Sequence, residues 1–98
     1  MLNLLTIAGS DSCGGAGIQA DIKTFSAHGC YGMSIITAVT AQNTQGVADS
    51  LDIPPKMIKA QADAVFSDIR VDAVKTGMLS CTDTIRCVAD ILKKYTPK

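Results

Sequence analysis

Apolar side chains run almost without alternation from residue 2 to residue 8 (Leu2, Leu4, Leu5, Ile7, Ala8). A strand covered on both faces of a parallel sheet has this pattern, so 2–8 is predicted to be a buried strand. From residue 15 the period changes. Ile18, Ile22 and Phe25 stand at i, i+4 and i+7, with Gln19, Lys23 and Ser26 facing the other way, and a helix is predicted over 15–28. Residues 33–41 (MSIITAVTA) are β-branched and apolar, a second interior strand. A polar turn at 42–46 leads into 47–53 (VADSLDI), a weaker and peripheral strand.

Pro54 and Pro55 then punctuate the chain. Pro55 suits a first helical turn, where a missing N–H costs nothing. Ile58, Ala62, Val65 and Ile69 repeat with helical spacing, so the helix is predicted over about 55–68. Residues 71–76 (VDAVKT) read as a short strand broken by Gly77. Ser80 or Thr82 caps a last helix with the buried stripe Ile85, Val88, Ala89 and Leu92, ended by Tyr95-Thr96-Pro97-Lys98.

The order is β-α-β-β-α-β-α. Strands alternating with helices imply an α/β domain with a mostly parallel sheet and right-handed crossovers. Only three strands are firm, and the last helix stops where another strand is expected. Residues 1–98 therefore read as a single domain that is the N-terminal part of a longer one.

Composition narrows the class. Apolar residues make up 47% and charged residues 18% of the 98, the balance of a core-forming chain. Nine Lys and Arg offset nine Asp and Glu, so no charge excess points to nucleic acid or to an anionic membrane. The N-terminus has no basic segment, and its apolar run is too short for a signal peptide or a membrane span. The four cysteines form no CxxC pair, and a single histidine leaves no zinc pattern. Free thiols in a reducing cytoplasm are expected, with Cys13 the one placed for reactivity.

The chemistry concentrates at residues 9–17, GSDSCGGAG. A phosphate-binding GxxxxGK[ST] loop fails here, because Gly15 and Ala16 stand where Lys and Ser/Thr are required. Gly15 to Ala20 matches GxGxxA, but the second strand ends in Gln42 without the carboxylate that a dinucleotide ribose needs. An ordinary glycine-rich turn remains open. In open α/β sheets, however, ligands bind beyond the carboxyl ends of the strands. The ends here are Gly9-Ser10-Asp11, Gln42-Asn43-Thr44 and Thr76-Gly77-Met78, all small or polar and all expected around one crevice. Asp21 lies on the flank of a buried helical stripe and must find partners, either local ones or a polar ligand. Gln42 offers a donor and an acceptor side by side, a match to an aminopyrimidine edge, or else is a turn residue in solvent.

These residues, in this order, resemble a known family. AGSDSCGGAGIQADIKTFSAHGCYGMSIITAVTAQNTQGV, with VFSDIRVDAVKTGML after it, looks like the opening of the bacterial hydroxymethylpyrimidine/phosphomethylpyrimidine kinases. The resemblance implies a ribokinase-like three-layer α/β/α fold. It also implies phosphorylation of 4-amino-5-hydroxymethyl-2-methylpyrimidine and then of its monophosphate, with ATP and Mg2+. Carried over, Gln42 matches a pyrimidine-binding amide, Asp21 a carboxylate at the substrate pocket, and Met78 and the Gly9 backbone pocket walls. The chain departs from the usual pattern at Ser12 and Cys13, where Pro-Ser or Ser-Gly is more common.

The family is more than twice as long, and its anion hole, catalytic residue and most of its ATP site fall in the C-terminal half. By that resemblance the chain carries the substrate side alone, no catalytic residue, and little activity of its own. A homo-oligomer or a complementing C-terminal chain would be its protein partner. Two other readings stay open: a kinase of B6 vitamers from the same superfamily, and a non-catalytic pyrimidine-binding or assembly module.

Overall fold

The computed structural model describes residues 1–95. The elements are β1 (Asn3–Asp11), α1 (Gly17–Ala27), β2 (Tyr31–Asn43), β3 (Gly46–Asp52), α2 (Pro55–Phe66), β4 (Ala73–Thr76) and α3 (Thr82–Tyr95). They form one four-stranded sheet in the order β3-β2-β1-β4. β1 pairs parallel with both β2 and β4, and β3 returns antiparallel along the end of β2. Order, class and the mostly parallel sheet are as the sequence predicts. The terminal segment Thr96-Pro97-Lys98, read above as the end of the last helix, lies outside the described residues.

Alternation along the central strands sorts the layers. Leu5 and Ile7 of β1 and Met33 and Ile35 of β2 join Ile58 and Ala62 of α2 and Val88 and Ile91 of α3 in one core. Leu5, Ile7, Ile35 and Ile58 have no exposed surface, and burying each is worth about 1.5–3 kcal/mol. The other face carries α1, with Ile22 and Phe25 against bare Gly32 and Thr6 reaching Asp21. Helices thus cover both faces, the expected three layers.

Between α2 and β2 an amide replaces a strand. Ile36 lies in β2 short of the residues that β3 pairs, which begin at Ala38. The Gln61 side chain fills the gap: its Oε1 accepts the Ile36 N–H at 2.8 Å and its Nε2 donates to the Ile36 carbonyl at 2.9 Å.

Several boundaries differ from the sequence reading, each for a local reason. Leu2 lies outside β1 and is exposed, whereas β1 continues to Asp11 because Ser10 and Asp11 pair with Val39 and Thr40. β2 runs on through Gln42 and Asn43 because β3 supplies ladder partners, Val47 and Gly46. The helix predicted from residue 15 starts at Gly17, since the Gly15 and Ala16 amides bond to Asp11 instead. In α3 the buried residues are Thr84, Val88 and Ile91, while Ile85 is 51% exposed and Ala89 faces solvent. Val88 and Leu92 of the predicted stripe pack on the core, but Thr84 and Ile91 take the places expected of Ile85 and Ala89, because the Thr84 hydroxyl lies 3.2 Å from Cys81 Sγ and is thereby able to enter the core. Ser80 does not cap this helix; its hydroxyl donates to Asp52 at 2.7 Å.

Candidate functional site

The loop after β1 is wrapped around its own carboxylate. Asp11 is 5% exposed. Its Oδ1 accepts the Cys13 amide at 2.9 Å, and its Oδ2 accepts those of Gly15 at 2.9 Å and Ala16 at 2.8 Å. A carboxylate buried in this way is satisfied by charge-assisted bonds. Gln19, one turn into α1, reaches back: its Oε1 accepts the Asp11 amide at 2.8 Å and its Nε2 donates to Ser10 Oγ at 2.7 Å. Gly17 sits at φ +61°, and a Cβ there would lie 2.2 Å from the Gly9 carbonyl oxygen. Only glycine allows α1 to start so close to β1.

The tip of β2 meets this loop directly. Ser12 Oγ donates to the Gln42 carbonyl at 2.7 Å and accepts the Gln42 N–H at 2.8 Å. Thr40 Oγ1 lies 2.7 Å from the Ser10 carbonyl and 2.8 Å from Gln42 Oε1. A hydroxyl has one hydrogen, and a carbonyl only accepts. With that hydrogen on Ser10, the satisfied arrangement turns the Gln42 amide so that Nε2 donates to Thr40 and Oε1 is left as a free acceptor. In either orientation one polar atom of the amide has no protein partner among the described residues.

β4 supplies the third tip. The Gly77 amide donates to the Ile7 carbonyl at 2.9 Å, and a Cβ on Gly77 would sit 2.8 Å from that of Ala8. Lys75 Nζ bonds both oxygens of Asp21, at 3.1 and 3.0 Å, and Thr6 Oγ1 donates to Asp21 Oδ2 at 2.5 Å.

The three tips enclose a cavity of about 520 Å³, lined among others by Gly9, Gln42, Lys75, Gly77, Met78 and Ser80. Gly9, Gln42 and Met78, singled out from sequence, therefore share one hollow, with Met78 on its rim at 93% exposure. Asp21 does not line it but lies behind Lys75. Sequence reasoning missed Lys75 and Thr40, and it placed Asp11 at the crevice without its closure on the loop amides. Lys75 was within reach, as it belongs to the KTGML segment at a strand's carboxyl end. A second hollow of about 530 Å³ follows the β2–β3 ribbon past Ser12, Gln42 and Leu51.

The donor set decides what fits. The loop amides that would cradle a nucleotide phosphate are occupied by Asp11. Among the described residues no group of three or more His, Cys, Asp or Glu side chains could hold a metal ion. All four cysteines are free, with Cys13 exposed, and no described helix is long and apolar enough to cross a membrane.

The sequence model of phosphomethylpyrimidine kinase matches residues 11–98. The chain is 57% identical over 94 residues to the hydroxymethylpyrimidine/phosphomethylpyrimidine kinase of Escherichia coli, covering 96% of this chain and 35% of that protein. It is 60% identical over 91 residues to the enzyme of that name from Rhizobium meliloti, covering 93% of this chain and 34% of that one. Among solved structures, the phosphomethylpyrimidine kinase of Clostridium difficile superimposes with a TM-score of 0.97 at 60% identity, covering all of this chain and 42% of that one. An ADP complex of Bacillus subtilis pyridoxal kinase gives a TM-score of 0.90 at 43% identity, again over all of this chain and 39% of that one. The chain spans about a third of the length of the curated relatives it matches. On sequence and on its ribokinase-like α/β/α layers, the chain belongs to the phosphomethylpyrimidine kinase family.

Proposed function

We propose that this chain carries the substrate side of an ATP-dependent kinase of thiamine pyrimidine biosynthesis. Its substrates are 4-amino-5-hydroxymethyl-2-methylpyrimidine and the corresponding monophosphate. The observation that carries this reading is the Gln42 side-chain amide, bonded to Thr40 beside the cavity with one polar atom free, while Ser12 clasps the Gln42 backbone. A planar aminopyrimidine edge has the complementary donor and acceptor. Gly9 and Met78 bound the ring, and Asp21 acts on the pocket through Lys75.

Phosphoryl transfer needs donors that neutralise the moving phosphoryl group. ATP, Mg2+ and those donors are assigned to residues beyond this chain, whether in continuation or in a complementing or second copy, and the setting is the cytoplasm. The 98-residue chain alone is then close to inert. Calorimetric titration with the free pyrimidine tests the site: binding is expected, and Gln42→Ala should weaken it at least tenfold. A steady-state assay with Mg-ATP tests the division of labour, and turnover within tenfold of full-length kinases would refute it.

The match to pyridoxal kinase favours a second reading, a B6-vitamer kinase. Both ligands have a hydroxymethyl arm on a heteroaromatic ring. Competition between pyridoxal and the pyrimidine separates them, and the Gln42 amide favours the latter.

A further inference from the structure

We propose that Lys75 is a specificity-determining residue that holds the phosphate of the monophosphorylated substrate, with Asp21 and Thr6 as positioning residues behind it. This rests on the kinase reading above.

Lys75 is the one cation among the described residues that line the cavity. The two carboxylates of the lining are already engaged, Asp11 by three loop amides and Asp52 by the Ser80 hydroxyl. An ammonium group has three N–H donors. Two of those of Lys75 meet the two oxygens of Asp21, and the third has no acceptor among the described residues. The Lys75 side chain is half exposed and lines the cavity, while that of Asp21 is only 16% exposed and does not.

The pair is fixed from three elements. Thr6 of β1 donates to the Asp21 carboxylate, Asp21 projects from α1, and Lys75 stands in β4. The lysine stem folds back toward bare Gly77, where a Cβ would come within 3.7 Å of Nζ. Lysine shares this cavity with Gln42, the residue proposed to read the ring. A ring anchored at Gln42 has its 5-substituent free to lie toward another wall, and Lys75 is the wall that carries positive charge.

A hydroxymethyl oxygen would gain one hydrogen bond from the free N–H of the ammonium. A phosphate monoester would gain a bond in which both partners are ionised, adding Coulomb attraction to it. Lys75 should therefore favour the monophosphate over the alcohol.

Calorimetric titration of the whole chain with the hydroxymethylpyrimidine and with its monophosphate tests this, using wild type, Lys75→Met and Lys75→Arg. The ratio of the two affinities should fall at least tenfold in Lys75→Met and stay within threefold of wild type in Lys75→Arg. An unchanged ratio in Lys75→Met overturns the proposal, as does an equal collapse in Lys75→Arg. Should Lys75→Met fail to fold by circular dichroism, wild type alone decides. Its preference for the monophosphate must shrink as salt rises from 50 to about 500 mM, because the contact is ionic, and a preference that salt leaves unchanged overturns the proposal. If wild type binds neither compound, the kinase reading itself falls and this inference with it. Binding of both with no role for Lys75 removes this inference alone.

Discussion

Ser12 and Gln42 clasp each other by two hydrogen bonds, 2.7 Å from the Ser12 hydroxyl to the Gln42 carbonyl and 2.8 Å from the Gln42 amide back to Ser12 Oγ. The residues are thirty apart in sequence, and the clasp ties the glycine loop to the tip of β2. Both bonds are solvent-exposed, so their net worth is about 0.5–1.5 kcal/mol each. Ser12→Ala should lower the unfolding free energy by about 1 kcal/mol in urea titration. It should weaken pyrimidine binding more than that loss of stability implies, because the Gln42 amide loses its brace.

Gly17 sets how closely α1 approaches β1. Alanine there must hold φ near +61° and place a methyl 2.2 Å from the backbone oxygen of Gly9. A left-handed residue alone costs about 1–2 kcal/mol, and the backbone clash adds to it. Gly29 is the control, with φ +72° but open space around the missing Cβ. Urea midpoints should rank wild type above Gly29→Ala, and Gly29→Ala well above Gly17→Ala.

Gln61 satisfies both backbone groups of Ile36, at 2.8 and 2.9 Å. Gln61→Leu keeps the size and removes both partners. Each part-buried group left unmatched costs about 1–3 kcal/mol, so a loss of at least 2 kcal/mol is expected by denaturant titration. Hydrogen exchange at the Ile36 amide should accelerate selectively.

Between α2 and α3, the Tyr95 hydroxyl donates to Asp63 while its ring stacks on Phe66 at 4.4 Å. That bond, helped by Lys94, holds the Asp63 carboxyl below the usual carboxylate range, and the same bond, with burial and against the opposing pull of Lys94, pushes the Tyr95 phenol up. The depressed Asp63 contributes stability above its unfolded value of about 3.9, lost as pH falls through and below it. The raised Tyr95 contributes below its unfolded value of about 10, lost as pH rises through the folded value. Tyr95→Phe keeps the stack and should flatten both limbs of a urea-midpoint curve measured from pH 2 to 11.

The element order was legible because periodicity is local: Ile18, Ile22 and Phe25 announce α1 with no knowledge of β2. Half of the α3 stripe, Val88 and Leu92, was legible, but Ile85 was read in place of Thr84 because a hydrophobic count passes over a threonine whose hydroxyl has a partner in Cys81. At the site, the rule that ligands lie at strand ends brought Gly9, Gln42 and Met78 to one cavity. What it could not reveal was pairing across distance. Lys75 and Asp21 are 54 residues apart, and nothing in either segment names the other. Asp11 read as one more polar tip residue, because a carboxylate closing on amides two to five positions ahead leaves no periodic trace.

The convergence of three strand tips on one aminopyrimidine pocket is tested most directly by nuclear magnetic resonance of the labelled chain during titration with the free pyrimidine. Saturable shifts are predicted for the Gln42 side-chain amide and for the Gly9 and Gly77 backbone amides, with α2 and α3 signals unmoved. Shifts confined to the groove between α2 and α3, or none at Gln42 when calorimetry reports binding, would contradict the account.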